Sequence, residues 1–292
     1  FFFFFFFFFF FFFFFFFCKT PTKQEVVQNM TENIEREDIQ DEDNEETTGH
    51  HIAHGTEEAL DRVKAILGPP YFSSQGFLLY NIDCIEGMRL LSSKLKEGIF
   101  DLTVTSPPYN IGKEYEVSMT LDEYKEWSEN WIKEVFALTS PSGAFWLNLG
   151  YTCVPGKGRA VPIPYLLYER IPFFMMQEVV WNYGAGVACK KMFSPRNEKF
   201  LWFVKNETDY YFDLDSVRDS NVKYPNQKKN GKLRCNPKGK NPTDVWEVPK
   251  VTSGEGRACQ ERTAHPAQFP KGKYQEKSLK YFVLISKPTY IF

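Results

Sequence analysis

Two periodicities of apolar residues alternate along the chain after residue 56, and they predict alternating helices and strands. Apolar residues at helical spacing mark a segment that begins near Thr56 and two longer segments at residues 84–95 and 121–138. Short apolar runs predict strands at residues 77–81, 99–105, 142–148, 174–183 and 200–205. This alternation indicates an α/β fold with a doubly wound, largely parallel sheet and helices on both faces.

The predicted strand at residues 99–105 runs into the sequence TSPPYN, which places two prolines directly after it. Proline fixes its own φ and restricts the residue before it, so Pro107 and Pro108 make the turn stiff. The Ser106 hydroxyl and the Pro107 carbonyl can then point outward together as two acceptors. Ligands of such sheets bind at the carboxyl ends of strands, and two adjacent acceptors suit an amine with two hydrogens.

The exocyclic amine of a nucleobase is such a group, and it is a weak nucleophile because its lone pair is delocalised into the ring. Hydrogen bonds to Ser106 and to the Pro107 carbonyl would favour a pyramidal nitrogen whose lone pair points at an electrophilic methyl group. Inside a duplex the amine of a base is inaccessible, so the base must leave the helix. Tyr109 offers a face on which such a base can stack. Taken alone, however, two prolines after a strand more often form an ordinary loop.

The first 58 residues differ in composition from the rest of the chain. The first 17 residues are all Phe, and we interpret them as an artefact rather than a membrane anchor, because no basic residue precedes them and no cleavage pattern follows. Residues 18–58 are predicted to be a disordered acidic arm. Residues 19–58 carry a net charge of −9, so the remainder carries +7. A basic body suits a polyanionic partner, although a solvated surface without a partner is the alternative.

The cysteines and histidines do not form a recognisable metal or disulfide pattern. The six cysteines include no C-x-x-C pair, and three of the four histidines lie in the acidic arm. We therefore predict no metal site and no disulfide framework, and a reducing, intracellular compartment.

Residues 217–241 form a basic segment, with eight Lys and Arg residues and a single acid, Asp219. Such a segment fits contacts with the phosphate backbone of a nucleic acid, although a plain solvated insertion is the alternative. The residues assigned to DNA binding are Asn110, Lys228, Lys229, Lys232 and Arg234.

The TSPPYN motif and the FDLTV run before it resemble the catalytic motif of the DNA amino-methyltransferases, the cytosine-N4 and adenine-N6 enzymes. A motif that begins with Ser rather than Asp is the form usually seen in cytosine-N4 enzymes. The resemblance covers roughly residues 77–286. Other stretches resemble this family in the order of its permuted β subgroup: YNIDCIEG at 80–87, NIGKEY at 110–115, SPRNE at 194–198, FLWFVK at 200–205, DVWEVP at 244–249 and HPAQFP at 265–270.

The resemblance implies a Rossmann-like methyltransferase domain at residues 59–292, with a target-recognition segment inserted at about residues 206–260. It implies a base pocket formed by Ser106, Pro107, Pro108 and Tyr109. It also implies S-adenosylmethionine as methyl donor, with cofactor contacts from Asp83, His265, Phe269 and Pro270. For Asp83 a helix N-cap is the alternative, for His265 a loop residue, and for Glu198 a surface ion pair with Arg196.

The expected function is transfer of a methyl group to N4 of a flipped cytosine in double-stranded DNA, without a membrane partner. The alternatives are an adenine-N6 enzyme, an inactive DNA-binding remnant and, less favoured, a small-RNA or protein methylase. A cognate restriction endonuclease is a possible partner. The expected location is intracellular and DNA-associated, in the cytoplasm or nucleoid, or in the nucleus of a eukaryote.

The sequence departs from the family after a predicted helix at residues 275–286. Family members continue into a strand and a glycine-rich Asp-Pro-Phe-x-Gly-Ser-Gly loop that lies beneath the methionine part of the methyl donor, whereas this chain reads KPTYIF at 287–292. We therefore expect a truncated cofactor half, with its neighbours' apolar faces uncovered, from an incomplete or mispredicted gene.

Overall fold

The computed structural model describes residues 49–74, 77–113, 116–184, 186, 188–251 and 267–270, with the backbone alone for residues 49–57. It confirms an α/β fold. The phenylalanine tract, most of the acidic arm and the predicted helix at residues 275–286 lie outside the described residues.

The amino-terminal half of the described chain alternates helices with strands. Its elements are α1 (Gly49–Leu67), β1 (Phe72–Ser74), β2 (Phe77–Leu79), α2 (Cys84–Lys94), β3 (Phe100–Thr105), α3 (Leu121–Leu138) and β4 (Thr139–Leu149). Both α2 and α3 begin at side-chain caps. Asp83 accepts hydrogen bonds from two backbone amides of α2, and Thr120 forms a capping box with Glu123 at α3.

The second half contains shorter elements. They are β5 (Tyr151–Val154), β6 (Gly158–Pro162), α4 (Ile163–Leu167), a single 3₁₀ turn (Tyr168–Arg170), β7 (Phe174–Asn182), β8 (Asn197–Val204), α5 (Leu214–Val217), β9 (Lys228–Lys229), β10 (Lys232–Leu233) and β11 (Val245–Glu247). Strands β5 and β6 form one antiparallel hairpin, and β9 and β10 form another.

The main sheet has five strands in the order β11-β7-β8-β4-β3. Four of them run in one direction, as expected for a largely parallel sheet, but β8 is antiparallel to both of its neighbours. The reason lies in the connection from β7 to β8, which has 14 residues and no helix in its described part. A parallel neighbour normally needs a helical crossover, whereas a loop suffices for an antiparallel one.

One face of the sheet packs against the long helices. Phe145 and Leu147 of β4 and Phe203 of β8 point to this side, where they join Trp131 of α3 and Leu91 of α2 in one buried cluster. Trp131 and Phe145 meet edge to face, with ring centroids 6.2 Å apart. Burial of these large side chains is the main source of stability for this layer.

The opposite face carries three stacked indoles. Trp146 lies between Trp202 and Trp246, at centroid separations of 5.5 and 5.7 Å. Helices were predicted on both faces, but within the described ranges this face is covered mainly by the segment after β8, including Tyr210 and Leu214. Most of that segment has irregular backbone, and α5 is its one short helix within the described ranges. Its aromatic and aliphatic side chains cover this face of the sheet.

Two other predicted elements differ from the structure. The run at residues 77–81 forms only the half-buried strand β2, which pairs with β1 rather than joining the main sheet. Pairing with the adjacent segment needs no crossover, so it is the local solution for so short a run. Helix α1 begins at Gly49 rather than near Thr56, so the Thr-Glu-Glu sequence at residues 56–58 lies inside the helix and does not mark its start.

Membrane-spanning helices and clusters of metal-ligating side chains are both absent from the described residues. None of the helices in these ranges combines the length and apolar character needed to cross a bilayer. The same ranges contain no group of three or more His, Cys, Asp or Glu side chains placed to hold a metal ion.

Candidate active site

A polar cluster lies at the edge of the sheet where β3 and β4 end. Ser106 directly follows β3, and Asn148 is the last residue but one of β4. Because β8 is reversed, its first residues lie at this same edge, and Glu198 is the second of them. Three strands that are distant in sequence therefore bring a hydroxyl, an amide and a carboxylate together.

Tyr109 connects the members of this cluster. Its hydroxyl lies 3.0 Å from Glu198 Oε2, 3.0 Å from Asn148 Oδ1 and 3.2 Å from Ser106 Oγ. Ser106 Oγ also donates to Asn148 Oδ1 at 3.1 Å, and the Asn148 amide nitrogen donates to the Lys199 carbonyl at 3.2 Å. The Ser106 hydroxyl is thus fixed in direction by partners on its protein side.

The electrostatics of the cluster reflect its burial. Burial, followed by the neighbouring Glu198 carboxylate, raises the pKa of the Tyr109 hydroxyl well above its ordinary value, so Tyr109 is a hydrogen-bond donor at neutral pH. Burial also raises the pKa of the Glu198 carboxyl, against the lowering effects of the Tyr109 hydrogen bond, the Lys250 charge and the Asn148 amide.

The Tyr109 ring packs directly on the backbone of Gly150. A Cβ at position 150 would lie 2.8 Å from Tyr109 Cε2, which is closer than real Cβ atoms approach, and 3.1 Å from Cδ2, which is a tight contact. Glycine is therefore required here by the close approach of the ring.

We expect Gly150→Ala to displace the Tyr109 ring and lower the rate of methyl transfer by about 100-fold, because small misplacements of positioning groups have effects of that size. Single-turnover transfer to duplex DNA would measure it. Gly158→Ala is the matched control, since its Cβ would meet only a Val161 methyl group at the end of a movable side chain. Equal rates for both variants would contradict the packing argument.

The loop after the motif is held by Glu116 and Asn110. The Glu116 carboxylate accepts hydrogen bonds from the backbone amides of Tyr109, Ile111 and Lys113 at 2.8–3.0 Å. Asn110 adopts a positive φ of 55°, and its side chain bonds both the amide and the carbonyl of Met119. The predicted DNA contact of Asn110 stays a prediction, and it would require these two bonds to open.

The prolines of the motif lie between the sheet and α3. Pro107 is buried and Pro108 half-buried. The Pro108 carbonyl accepts a hydrogen bond of 2.9 Å from the hydroxyl of Tyr124, a residue of α3 that is itself buried. The turn is therefore anchored to a helix as well as stiffened by its sequence.

The structure describes three of the four residues predicted to contact the cofactor, and each has local contacts of its own. Asp83 accepts from the amides of Ile85 and Glu86 at 2.9 and 3.0 Å, so it is the N-cap of α2. Phe269 packs against Trp181 and Phe200 on the indole-bearing face, with centroids 5.9 and 6.1 Å apart. The half-buried Pro270 follows it, and His265 lies outside the described residues.

The basic segment has two parts, one with ion-paired charges and one that forms a two-stranded ribbon. In the first part, Arg218 and Lys238 form ion pairs with Asp215, and Lys240 forms one with Asp219. Strands β9 and β10 form the ribbon, joined by Asn230 and Gly231, both with positive φ as a tight two-residue turn requires. Lys228, Lys229 and Lys232 are exposed on it, and among the described residues they take part in no ion pair; Arg234 beside them bonds Gln227.

Sequence reasoning missed Asn148, Gly150 and Glu116, and it misjudged Glu198. The alternative given for Glu198, a surface ion pair with Arg196, misses its main contact, because the half-buried carboxylate accepts from the Tyr109 hydroxyl at 3.0 Å. The available signals were a single amide in the apolar run FWLNL and a carboxylate just before FLWFVK. Neither signal indicates its partner.

Comparison with known proteins identifies relatives in sequence and in structure. The family described as DNA methylase matches residues 100–281, which is more than half of the chain. The type II methyltransferase M.ScaI of Streptomyces caespitosus is 64% identical over 211 residues, which are 72% of this chain and 68% of that protein. The type II methyltransferase M.BglII of Bacillus subtilis is 36% identical over 59% of this chain and 48% of its own length.

A solved structure, PvuII DNA methyltransferase (cytosine-N4-specific), superimposes with a TM-score of 0.47 at 20% identity, over 66% of each chain. The chain spans about two thirds of M.ScaI and about half of M.BglII. On the sequence matches, the chain belongs to the family of DNA amino-methyltransferases that modify N4 of cytosine or N6 of adenine, as its sequence motifs predict.

Proposed function

We propose that the protein transfers a methyl group from S-adenosylmethionine to the exocyclic N4 amine of a cytosine that is flipped out of double-stranded DNA. One observation carries the proposal: the Ser106 hydroxyl is held at the end of β3 by Asn148 and Tyr109. The fixed Ser106 hydroxyl can accept one hydrogen of an amine while the adjacent Pro107 carbonyl accepts the other. Family membership supports the reaction class.

Ser106 and Pro107 act by position. Each accepts one N–H of the amine, so that the nitrogen becomes pyramidal and its lone pair is directed away from the ring. Tyr109, with its ring fixed on Gly150 and its hydroxyl bonded to Glu198, borders the pocket for the flipped base. Because these groups are already hydrogen-bonded in place, little reorganisation accompanies the reaction.

The described residues fit the proposed methyl donor in part. The half-buried ring of Phe269, which packs on the buried rings of Trp181 and Phe200, offers a face for an adenine ring, and the exposed Asp83 carboxylate offers an acceptor for its polar groups. With Pro270 and His265, these are the residues proposed to hold it. When bound, S-adenosylmethionine supplies the electrophilic methyl group.

The choice of cytosine over adenine rests on the Ser at the start of the motif, and adenine N6 is the alternative within the family. Ribbon residues Lys228, Lys229, Lys232 and Arg234 are proposed to contact DNA phosphates. The relatives named above are bacterial type II methyltransferases, so we place the protein with bacterial DNA rather than in a nucleus, and a cognate restriction endonuclease remains a proposed partner.

The proposal is tested on DNA from a bacterial strain that lacks its own methyltransferases and expresses this chain. Mass spectrometry of the nucleosides should show N4-methylcytosine, which is absent from cells with the empty vector. N6-methyladenine instead would assign the adenine alternative. Neither base, together with no binding of S-adenosylmethionine by calorimetry and salt-sensitive DNA binding, would favour the non-catalytic DNA-binding protein.

A further inference from the structure

Methyl transfer to an amine leaves a proton to be removed. The product nitrogen carries the new methyl group, its two hydrogens and a positive charge, and one N–H bond must break to restore a neutral amine. The Ser106 hydroxyl, the proposed contact of that nitrogen, is too weak a base to keep a proton. A carboxylate within proton-transfer reach of Ser106 would solve this problem.

The structure contains a hydrogen-bonded connection from Ser106 to such a carboxylate. Ser106 Oγ lies 3.2 Å from the Tyr109 hydroxyl, and the Tyr109 hydroxyl donates to Glu198 Oε2 at 3.0 Å. Both distances are within hydrogen-bond reach, so two transfers connect the serine to Glu198. Asn148 Oδ1 lies within hydrogen-bond distance of both the Ser106 and the Tyr109 hydroxyl groups, but its amide cannot accept a proton at neutral pH.

The hydrogen of Tyr109 has two acceptors in reach, Asn148 Oδ1 and Glu198 Oε2. A bond to an ionised carboxylate is the stronger of the two, so Tyr109 donates to Glu198. Its oxygen lone pairs then face Ser106, which can donate either to Tyr109 or to Asn148. In the first arrangement every hydrogen of the connection points toward Glu198.

The surroundings of Glu198 suit a group that gains and loses a proton. Among the residues that the structure describes, the charged and titratable groups that face it are Tyr109 from the motif turn, Lys250 from the segment after β11 and Tyr183 from the segment after β7. Lys250 stabilises the ionised form, and burial opposes it by raising the pKa of Glu198. The balance keeps the carboxylate able to accept a proton and able to release it afterwards.

We infer that Glu198 is the terminal acceptor of the proton released by the methylated amine, through Ser106 and Tyr109. One N–H bond of the methylated amine breaks and Ser106 Oγ takes that proton. Ser106 passes its own proton to the Tyr109 oxygen, and Tyr109 passes its proton to Glu198 Oε2. Ser106 and Tyr109 are unchanged, the amine becomes neutral, and Glu198 is left as a neutral acid that later loses its proton to solvent. This inference rests on the proposed function.

Glu198→Gln tests the inference, because glutamine keeps an acceptor for Tyr109 but cannot take the proton. We expect the single-turnover rate of methyl transfer at neutral pH to fall by about 100-fold. In the wild type the rate should fall as the pH is lowered through the raised pKa of Glu198, and this acid limb should disappear in the variant. DNA affinity should stay within about twofold, because the folded site is retained.

Glu178→Gln is the matched control. Glu178 lies on β7 in the same sheet and pairs with Lys199 at 3.7 Å, away from Tyr109. It should keep both the wild-type rate and the acid limb. Tyr109→Phe should slow transfer as much as Glu198→Gln, and the double variant should be no slower than either one, because both interrupt the same connection.

A second readout does not depend on activity. With 3-fluorotyrosine at position 109, the fluorine resonance of the full chain should shift with pH as Glu198 titrates, and Glu198→Gln should abolish that shift. Wild-type rate with a retained acid limb in Glu198→Gln, or an unchanged fluorine titration, would overturn the inference. A wild-type chain that methylates no DNA would instead contradict the proposed function, while the fluorine titration would still report on Glu198.

Discussion

Ser106→Ala is expected to slow methyl transfer by about 100- to 1,000-fold, the effect seen when one positioned hydrogen-bonding group is removed from a reacting centre. The variant removes the proposed acceptor for one N–H of the amine. It should fold normally, because the Asn148 amide nitrogen still donates to the Lys199 carbonyl and Tyr109 still donates to Glu198. Single-turnover transfer of a labelled methyl group to duplex DNA would measure the change.

Ser140→Ala is the control for this variant. Ser140 is a half-buried serine near the start of β4, at the other end of the sheet, and its hydroxyl bonds Asp101 at 2.6 Å. Its replacement should leave the rate within about twofold, because it is remote from the reacting amine. If Ser106→Ala also kept its rate within about threefold, Ser106 would not be the acceptor that the mechanism requires.

Replacement of Lys228, Lys229 and Lys232 together by alanine is expected to weaken DNA binding on the order of 100-fold at about 0.15 M salt. Each lysine that contacts a phosphate displaces counterions, so the slope of log affinity against log salt should become shallower by about 2.7 in total. The three side chains lie exposed on the β9–β10 ribbon and are free of ion pairs within the described chain. Fluorescence anisotropy over a salt series would measure both quantities.

The matched control removes the same three charges from the helix-covered side of the sheet. Lys94, Lys96 and Lys133 are exposed and lie on or just after α2 and on α3. Their combined replacement should change the salt slope by less than about 0.5, because only the general charge is lost. Equal slopes for the two triple variants would show that the ribbon makes no specific phosphate contacts.

The sequence was most informative where local signals coincide. The predicted helix at residues 121–138 matches α3 (Leu121–Leu138), where a capping box and regular apolar spacing agree. The start of α2 was also predicted to within a residue, and the N-cap alternative for Asp83 proved to be its local role. Strands β2, β3, β4, β7 and β8 were found as segments because each is an apolar run.

The direction of β8 and the site built on it could not be predicted in the same way. Periodicity shows which residues are buried but not which way a strand runs, so the position of Glu198 at the edge where β3 and β4 end was hidden. Its contact with Tyr109 spans 89 residues, and that of Asn148 with Tyr109 spans 39. The short strands β1, β5, β6, β9, β10 and β11 were missed because two to five residues give too little pattern to count.

The reversed central strand also sets the order in which the site can form. Strands β3 and β4 pair with each other early in the chain, but β8 must arrive from more than 45 residues further on and insert between β4 and β7. Pairings over long separations form late in folding because loop closure must come first. The half of the cluster on β3 and β4 can therefore assemble before Glu198 joins it. A chain in which β8 has not yet inserted has the Ser-Pro-Pro-Tyr turn without the carboxylate that orders Tyr109, so folding intermediates are expected to lack a competent base pocket.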